Sequence, residues 1–137
     1  MLNEREEKLL EEAEHAMDRS YAPYSQFRVG AAVLSSDGRV VNGANYENAS
    51  YGCAICAERV AITRANVEGI KDVVSIAIIG SSDAPVTPCG ACRQVLFEAS
   101  SRCNRDIEVI MSNSNRQKIR KMMLSELLPF AFSFERK

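Results

Sequence analysis

Two short segments carry the residue types from which chemistry is built: Cys56-Ala57-Glu58 and, about thirty residues later, Pro88-Cys89-Gly90-Ala91-Cys92. Cysteine thiolates bind zinc strongly, and a carboxylate can carry a proton. Cys89 and Cys92 are three positions apart, so in the first turn of a helix both lie on one side and reach one ion. Cys56 brings a third sulfur. Three protein ligands leave the fourth tetrahedral place of zinc open to water, the arrangement of a catalytic site. Water on zinc loses its proton far more easily than bulk water, its pKa falling from about 16 towards about 7. Glu58 is two residues past a ligand. It is placed to take that proton as a base and return it as an acid.

A second pattern uses the same residues. Cys53-x-x-Cys56 and Cys89-x-x-Cys92 together would form a closed four-cysteine structural site, suited to a zinc module that binds a partner. Three features favour the open site. Cys53 lies in a polar loop ahead of the helix that carries Cys56. A structural site has no use for Glu58. A catalytic zinc needs one vacant place. On that reading Cys53 and Cys103 are ordinary small apolar residues. His15 is the only histidine and sits among Glu11, Glu12, Glu14 and Asp18, as a solvated surface residue would. Ser-His-Asp and Cys-His catalysis are therefore excluded, except through a histidine with no nucleophile motif near it.

The elements that position these residues are legible in outline. Each cysteine group opens a predicted helix, at 56–67 and at 90–100, and Pro88 is a start signal for the second. A helix N-terminus offers unpaired N–H groups and a partial positive charge, which favour the thiolate. Upstream, apolar residues at helical spacing predict a helix over 4–19, with Asn3 and Glu6 as a capping box. Val29 to Ser35, the Asp37-Gly38 turn and Arg39-Val40-Val41 read as a hairpin. Residues 44–53 form a polar loop, and Pro85 to Pro88 another. Val73 to Ile79 is a continuous β-branched run, as expected of a strand buried on both faces. Ile107 to Met111 is a further strand, with a weak one near 117–122 and a helical turn from Ser125 to Leu128. The order α-β-β-α-β-α-β-β gives an α/β sandwich: one mixed sheet with helices packed on it.

Length and composition agree. A chain of 137 residues fits one domain, residues 1–137, with 46% hydrophobic and 26% charged residues. A net charge of −1 argues against a partner that is a nucleic-acid polymer. Met1 to Glu14 is too charged for the apolar core of an export signal, and no apolar run is long enough to span a membrane. An odd count of five cysteines without such a signal reads as metal binding before disulfides, in the cytoplasm.

The pattern of a first ligand, x-Glu, and then Pro-Cys-x-x-Cys is that of the zinc deaminases. Over nearly its whole length the chain resembles the small tetrameric cytidine deaminases. The resemblance rests on Pro23-Tyr24-Ser25 with Phe27 and Val29-Gly30-Ala31-Ala32, on Asn45-Tyr46-Glu47-Asn48-Ala49-Ser50-Tyr51-Gly52, and on Cys56-Ala57-Glu58-Arg59. It continues through Pro88-Cys89-Gly90-Ala91-Cys92-Arg93-Gln94 and Glu126-Leu127-Leu128-Pro129. It implies a three-layer α/β/α sandwich around one mixed five-stranded sheet, one Zn2+ per chain on Cys56, Cys89 and Cys92, and Glu58 as the proton shuttle. The implied reaction is hydrolytic deamination of cytidine and deoxycytidine in pyrimidine salvage, with a homotetramer sharing its active sites. Asn45 and Glu47 would bind the ribose hydroxyls, Phe27 would pack on the pyrimidine, and Ala57 would offer its N–H to the base carbonyl. Phe132 would reach a neighbouring pocket, a role for which Phe130 and Phe134 compete. Three thiolates leave the zinc site at formal charge −1, and Arg59 would offset this by donating hydrogen bonds to ligand sulfurs. A deaminase of another aminopyrimidine nucleoside, such as a nucleoside antibiotic, is the alternative, against which Asn45 and Glu47 argue.

Overall fold

A computed structural model describes residues 2–134. Helix α1, Glu4–Met17, begins with the expected capping box: the Asn3 side chain accepts from the Glu6 N–H and the Glu6 carboxylate from the Asn3 N–H, each at 2.8 Å. It ends two residues before the predicted 19, because the Arg19 and Ser20 amides turn back to the carbonyls of Ala16 and Met17. Among the described residues no helix is long and apolar enough to cross a membrane.

Strands β1 (Val29–Ser35), β2 (Val40–Ala44), β3 (Val73–Gly80), β4 (Glu108–Ser112) and β5 (Ile119–Met123) form one mixed sheet, in the order β2-β1-β3-β4-β5. Only the β3–β4 pair is parallel; the other three pairs are antiparallel. A parallel pair needs a crossover, and helix α3, Gly90–Cys103, supplies it. Helix α2, Ala57–Val67, joins β2 to β3, and the short α4, Leu124–Leu127, follows β5. Both the sheet and its five strands are as expected.

The pleat sends alternate residues to opposite layers. Ala32, Leu34, Ala77, Ile79 and Ile110 bury against Leu9, Leu10, Ala13 and Met17 of α1. Val33, Val41, Ile76, Ile78, Val109 and Met111 bury on the other side against Ala57, Ala61 and Ala65 of α2 and Leu96 of α3. This is the three-layer sandwich. Two glycines set how closely its layers approach. A Cβ on Gly30 would stand 1.9 Å from the Ala13 carbonyl oxygen of α1, and one on Gly43 would stand 2.7 Å from the Ala61 amide of α2. Each helix lies against bare backbone.

Several boundaries differ from the sequence reading. Strand β2 extends to Ala44, and Tyr51–Cys53 forms a 3-10 turn within the expected loop. Helix α3 runs three residues further, until Asn104 adopts the left-handed conformation that closes it.

Candidate active site

Helices α2 and α3 both aim their N-termini at one place. Cys56 is the N-cap of α2 and Cys89 that of α3, while Cys92 lies one turn into α3 and is fully buried. The three sulfurs lie within 4.8 Å of one another, with Cys56 Sγ to Cys89 Sγ at 3.9 Å and Cys89 Sγ to Cys92 Sγ at 3.5 Å. Zn–S bonds of about 2.3 Å in tetrahedral geometry place sulfurs about 3.8 Å apart, so the donor set fits zinc. Cys53 stands outside this cluster, which removes the four-cysteine pattern. It is exposed, with its thiol directed to Ser50 Oγ at 3.7 Å, and so is not the packed apolar residue expected. His15 is solvated beside Glu12, as expected.

The electrostatics follow from this crowding. The Cys92 hydrogen bond, opposed by burial and helped by Arg59 and Cys89, pulls the Cys56 thiol down to about 5. The same bond to Cys56, together with burial and the charge of Glu58, pushes the Cys92 thiol up. One thiolate makes its neighbours hold their protons; a dication is what lets all three sulfurs ionise. Glu58 sits in the first turn of α2 and is 4% exposed. Burial, with the Cys56 thiolate adding to it, raises its carboxyl to about 7. Arg59 Nη2 donates to Cys56 Sγ at 3.6 Å, and its buried Nε has no hydrogen-bond partner. Its guanidinium thus lies against the sulfurs, where a positive charge offsets the thiolates.

An open cleft of about 400 Å³ leads to Cys56, Glu58 and Cys89. Phe27, Asn45, Glu47, Ala57 and Arg59 all line it, so the structure brings together every candidate named from the sequence except Phe132. Phe132 is exposed and its carbonyl accepts from Gln94 Nε2. Ala57 is fully buried, and its N–H, in the first turn of α2, has no intrahelical acceptor.

Asn45 and Glu47 are fastened by their own chain. Asn45 Oδ1 accepts from Ser20 Oγ and the Val29 N–H, and Nδ2 donates to the Phe27 carbonyl. Glu47 Oε1 accepts from the amides of Tyr24 and Ser25, and Oε2 from Ser25 Oγ. Each of these cleft-lining side chains keeps unused capacity: one N–H on Asn45 and a lone pair on Glu47 Oε2. Sequence reasoning did not single out Val86 and Thr87, which also line the cleft. Their place directly before Pro88-Cys89 was the available signal.

Three thiol ligands and a buried carboxyl at two helix N-termini, opening on a cleft for a small molecule, define a zinc hydrolase site of the deaminase type. Residues 3–105 match the family described as the cytidine and deoxycytidylate deaminase zinc-binding region, and the chain belongs to that family. It is 50% identical over 127 residues to a cytidine deaminase of Halalkalibacterium halodurans, covering 93% of each chain. A crystal structure of cytidine deaminase from Burkholderia pseudomallei matches with TM-score 0.85 and 41% identity, covering 96% of this chain and all of that one. The Mycobacterium tuberculosis cytidine deaminase structure matches with TM-score 0.79 and 36% identity, over 93% and 97%.

Proposed function

We propose that this chain is a cytidine deaminase, converting cytidine and deoxycytidine hydrolytically to uridine and deoxyuridine with release of ammonia. The observation that carries this reading is the buried Glu58 carboxyl beside three convergent cysteine sulfurs. Cys56, Cys89 and Cys92 would hold one zinc ion per chain, which would supply an acidified water. Glu58 does the proton work: it takes one proton of the water and passes it to ring N3, then takes the remaining proton from the new hydroxyl on the reacting carbon and delivers it to the departing amino nitrogen. A buried carboxyl beside the metal ligands can act as base and then as acid without moving. Arg59 offsets thiolate charge through its contact with Cys56 Sγ.

Binding is assigned to the cleft walls. Phe27 packs on the pyrimidine, and the free N–H of Ala57 donates to the base carbonyl. The remaining donor of Asn45 and acceptor of Glu47 suit a pair of hydroxyls, as ribose presents. Their energy is remote from the reacting carbon and is available to hold it at the metal. Residues 1–137 act as one catalytic domain, in pyrimidine salvage in the cytoplasm.

A homotetramer completes the pocket. Tyr51 is 81% exposed at the cleft mouth, and Phe130, Phe132 and Phe134 are exposed at 105%, 68% and 79%. Apolar surface of this kind on a small protein marks a contact. Phe132 is the tail residue assigned to a neighbour's cleft.

The test is turnover by the pure protein of cytidine, deoxycytidine, free cytosine and an aminopyrimidine nucleoside antibiotic, read by ammonia release and zinc content. Turnover of both nucleosides with little on cytosine is expected. Cytosine consumed as well as cytidine refutes the ribose role of Asn45 and Glu47. Turnover of the antibiotic alone transfers the assignment to that substrate.

A further inference from the structure

The motif that supplies Cys89 and Cys92 continues into Arg93 and Gln94, which neither line the cleft nor hold the metal. Their hydrogen bonds join parts of the chain that are far apart in sequence. Arg93 Nε donates to the Pro88 carbonyl at 2.8 Å, and Arg93 Nη1 donates to the Leu127 carbonyl at 2.7 Å. Gln94 Nε2 donates to the Phe132 carbonyl at 3.0 Å. Two adjacent side chains thus grip the metal loop, the end of α4 and the tail.

The placement of Arg93 runs against simple helix electrostatics. A cation in the first turn of a helix meets the positive end of its dipole. The guanidinium is held there by two carbonyl oxygens. The Pro88 carbonyl belongs to the planar peptide that leads into Cys89, so fixing it fixes where the Cys89 Cα stands, from which the side chain departs. The Leu127 carbonyl ends α4 and has no intrahelical partner. A rigid planar fork holds two such oxygens at a set separation, which a lysine ammonium cannot do.

The tail needs holding. Pro129 is followed by Phe130 at φ 55°, a left-handed conformation that non-glycine residues keep only where their surroundings impose it. Among the described residues, the bond from Gln94 is the one hydrogen bond reaching the segment 129–134.

We propose that Arg93 and Gln94 are positioning residues that lock the tail carrying Phe132 to the loop carrying Cys89. The aromatic that the tail presents and the ligand that faces the metal then keep a fixed relation. Where it concerns substrate, the proposal rests on the shared-pocket reading above; where it concerns the tail and the metal loop, it stands alone.

The experiment compares Gln94→Met, Arg93→Lys and Phe132→Ala as full-length, metal-loaded proteins. Limited proteolysis within 128–134 is expected to speed up about tenfold or more in the first two, with cleavage in α1 and the sheet unchanged. In Gln94→Met, KM for cytidine should rise several-fold while kcat falls less. In Arg93→Lys, the absorption of the cobalt(II)-substituted protein should shift as Cys89 reorients, whereas in Gln94→Met it should stay. A wild-type rate of tail cleavage in both variants overturns the proposal, and so does a wild-type cobalt spectrum in Arg93→Lys. Phe132→Ala separates the two readings. If it raises KM and Gln94→Met does not, the clasp is refuted. If it leaves KM unchanged, the shared pocket fails and the proteolysis and cobalt results alone decide the clasp. Gln94 is only partly buried, so its variant keeps the test open should Arg93→Lys fold poorly.

Discussion

The three long helices begin in two different ways. Helix α1 opens with Asn3 and Glu6 satisfying each other's backbone amides. Helices α2 and α3 open with Cys56 and Cys89, which have the extended backbone of an N-cap and no side-chain cap hydrogen bond. Cysteine is not among the side chains that cap helices well. On one face of the sheet, then, the helix start is stabilised locally. On the other, two helix starts point their sulfurs at a common centre, and the metal ties both ends together. The site face exchanges local stability for a charge arrangement that serves chemistry; the α1 face carries none and is built for rigidity.

Removing the metal should sharpen this contrast most. Chelation is expected to abolish turnover and to lower the thermal midpoint by on the order of 10 °C, because ligand binding energy is folding energy. Calorimetry with and without chelator checks it, and an unchanged midpoint would mean that the two helices hold their positions without a shared ion. Next comes Glu58→Gln, expected to retain zinc and fold while losing roughly 100- to 10,000-fold in kcat. A near-normal rate would assign the proton transfers to another group.

The α1 face should respond in the opposite sense. Gly30→Ala forces a methyl against the Ala13 carbonyl, with an expected loss of about 1–3 kcal/mol in denaturant unfolding and zinc content unchanged. Stability equal to wild type would show that α1 can move off the sheet freely. The smallest effect belongs to Asn3→Ala, about 1 kcal/mol, with kcat preserved. A fall in kcat at constant zinc would mean that the two faces are coupled rather than divided in labour.

The site was more legible in the sequence than the fold around it. Ligand spacing and the placement of Glu58 are local facts, and the helix starts at Cys56 and Cys89 lie where Pro88 and the apolar runs put them. Boundaries set by tertiary contact were less so. The apolar run of the second hairpin strand stops at Val41, yet Gly43 is in β2, where α2 needs bare backbone. A glycine inside a strand is itself a sign of such close approach. Strand β5 reads weakly because three of its five residues are exposed and two of these, Arg120 and Lys121, are basic, as befits an edge. The internal fastening of Asn45 and Glu47 by Ser20, Tyr24, Ser25 and Phe27 spans 18 to 25 positions for most of its bonds, and no local pattern announces it.

The order of strands also bears on how the chain acquires its ion. Cys56 and Cys89 are 33 positions apart, and β3 lies between them both in sequence and in the path the chain must complete. That strand is central, bonded to β1 on one side and to β4 on the other. Contacts closing so long a loop form late in folding. Ion uptake is therefore expected to mark maturation, following the seating of the middle strand. In refolding followed with cobalt(II), thiolate-to-metal absorbance should trail the far-ultraviolet signal of sheet formation, and absorbance that led it would mean that the ion templates the sheet instead.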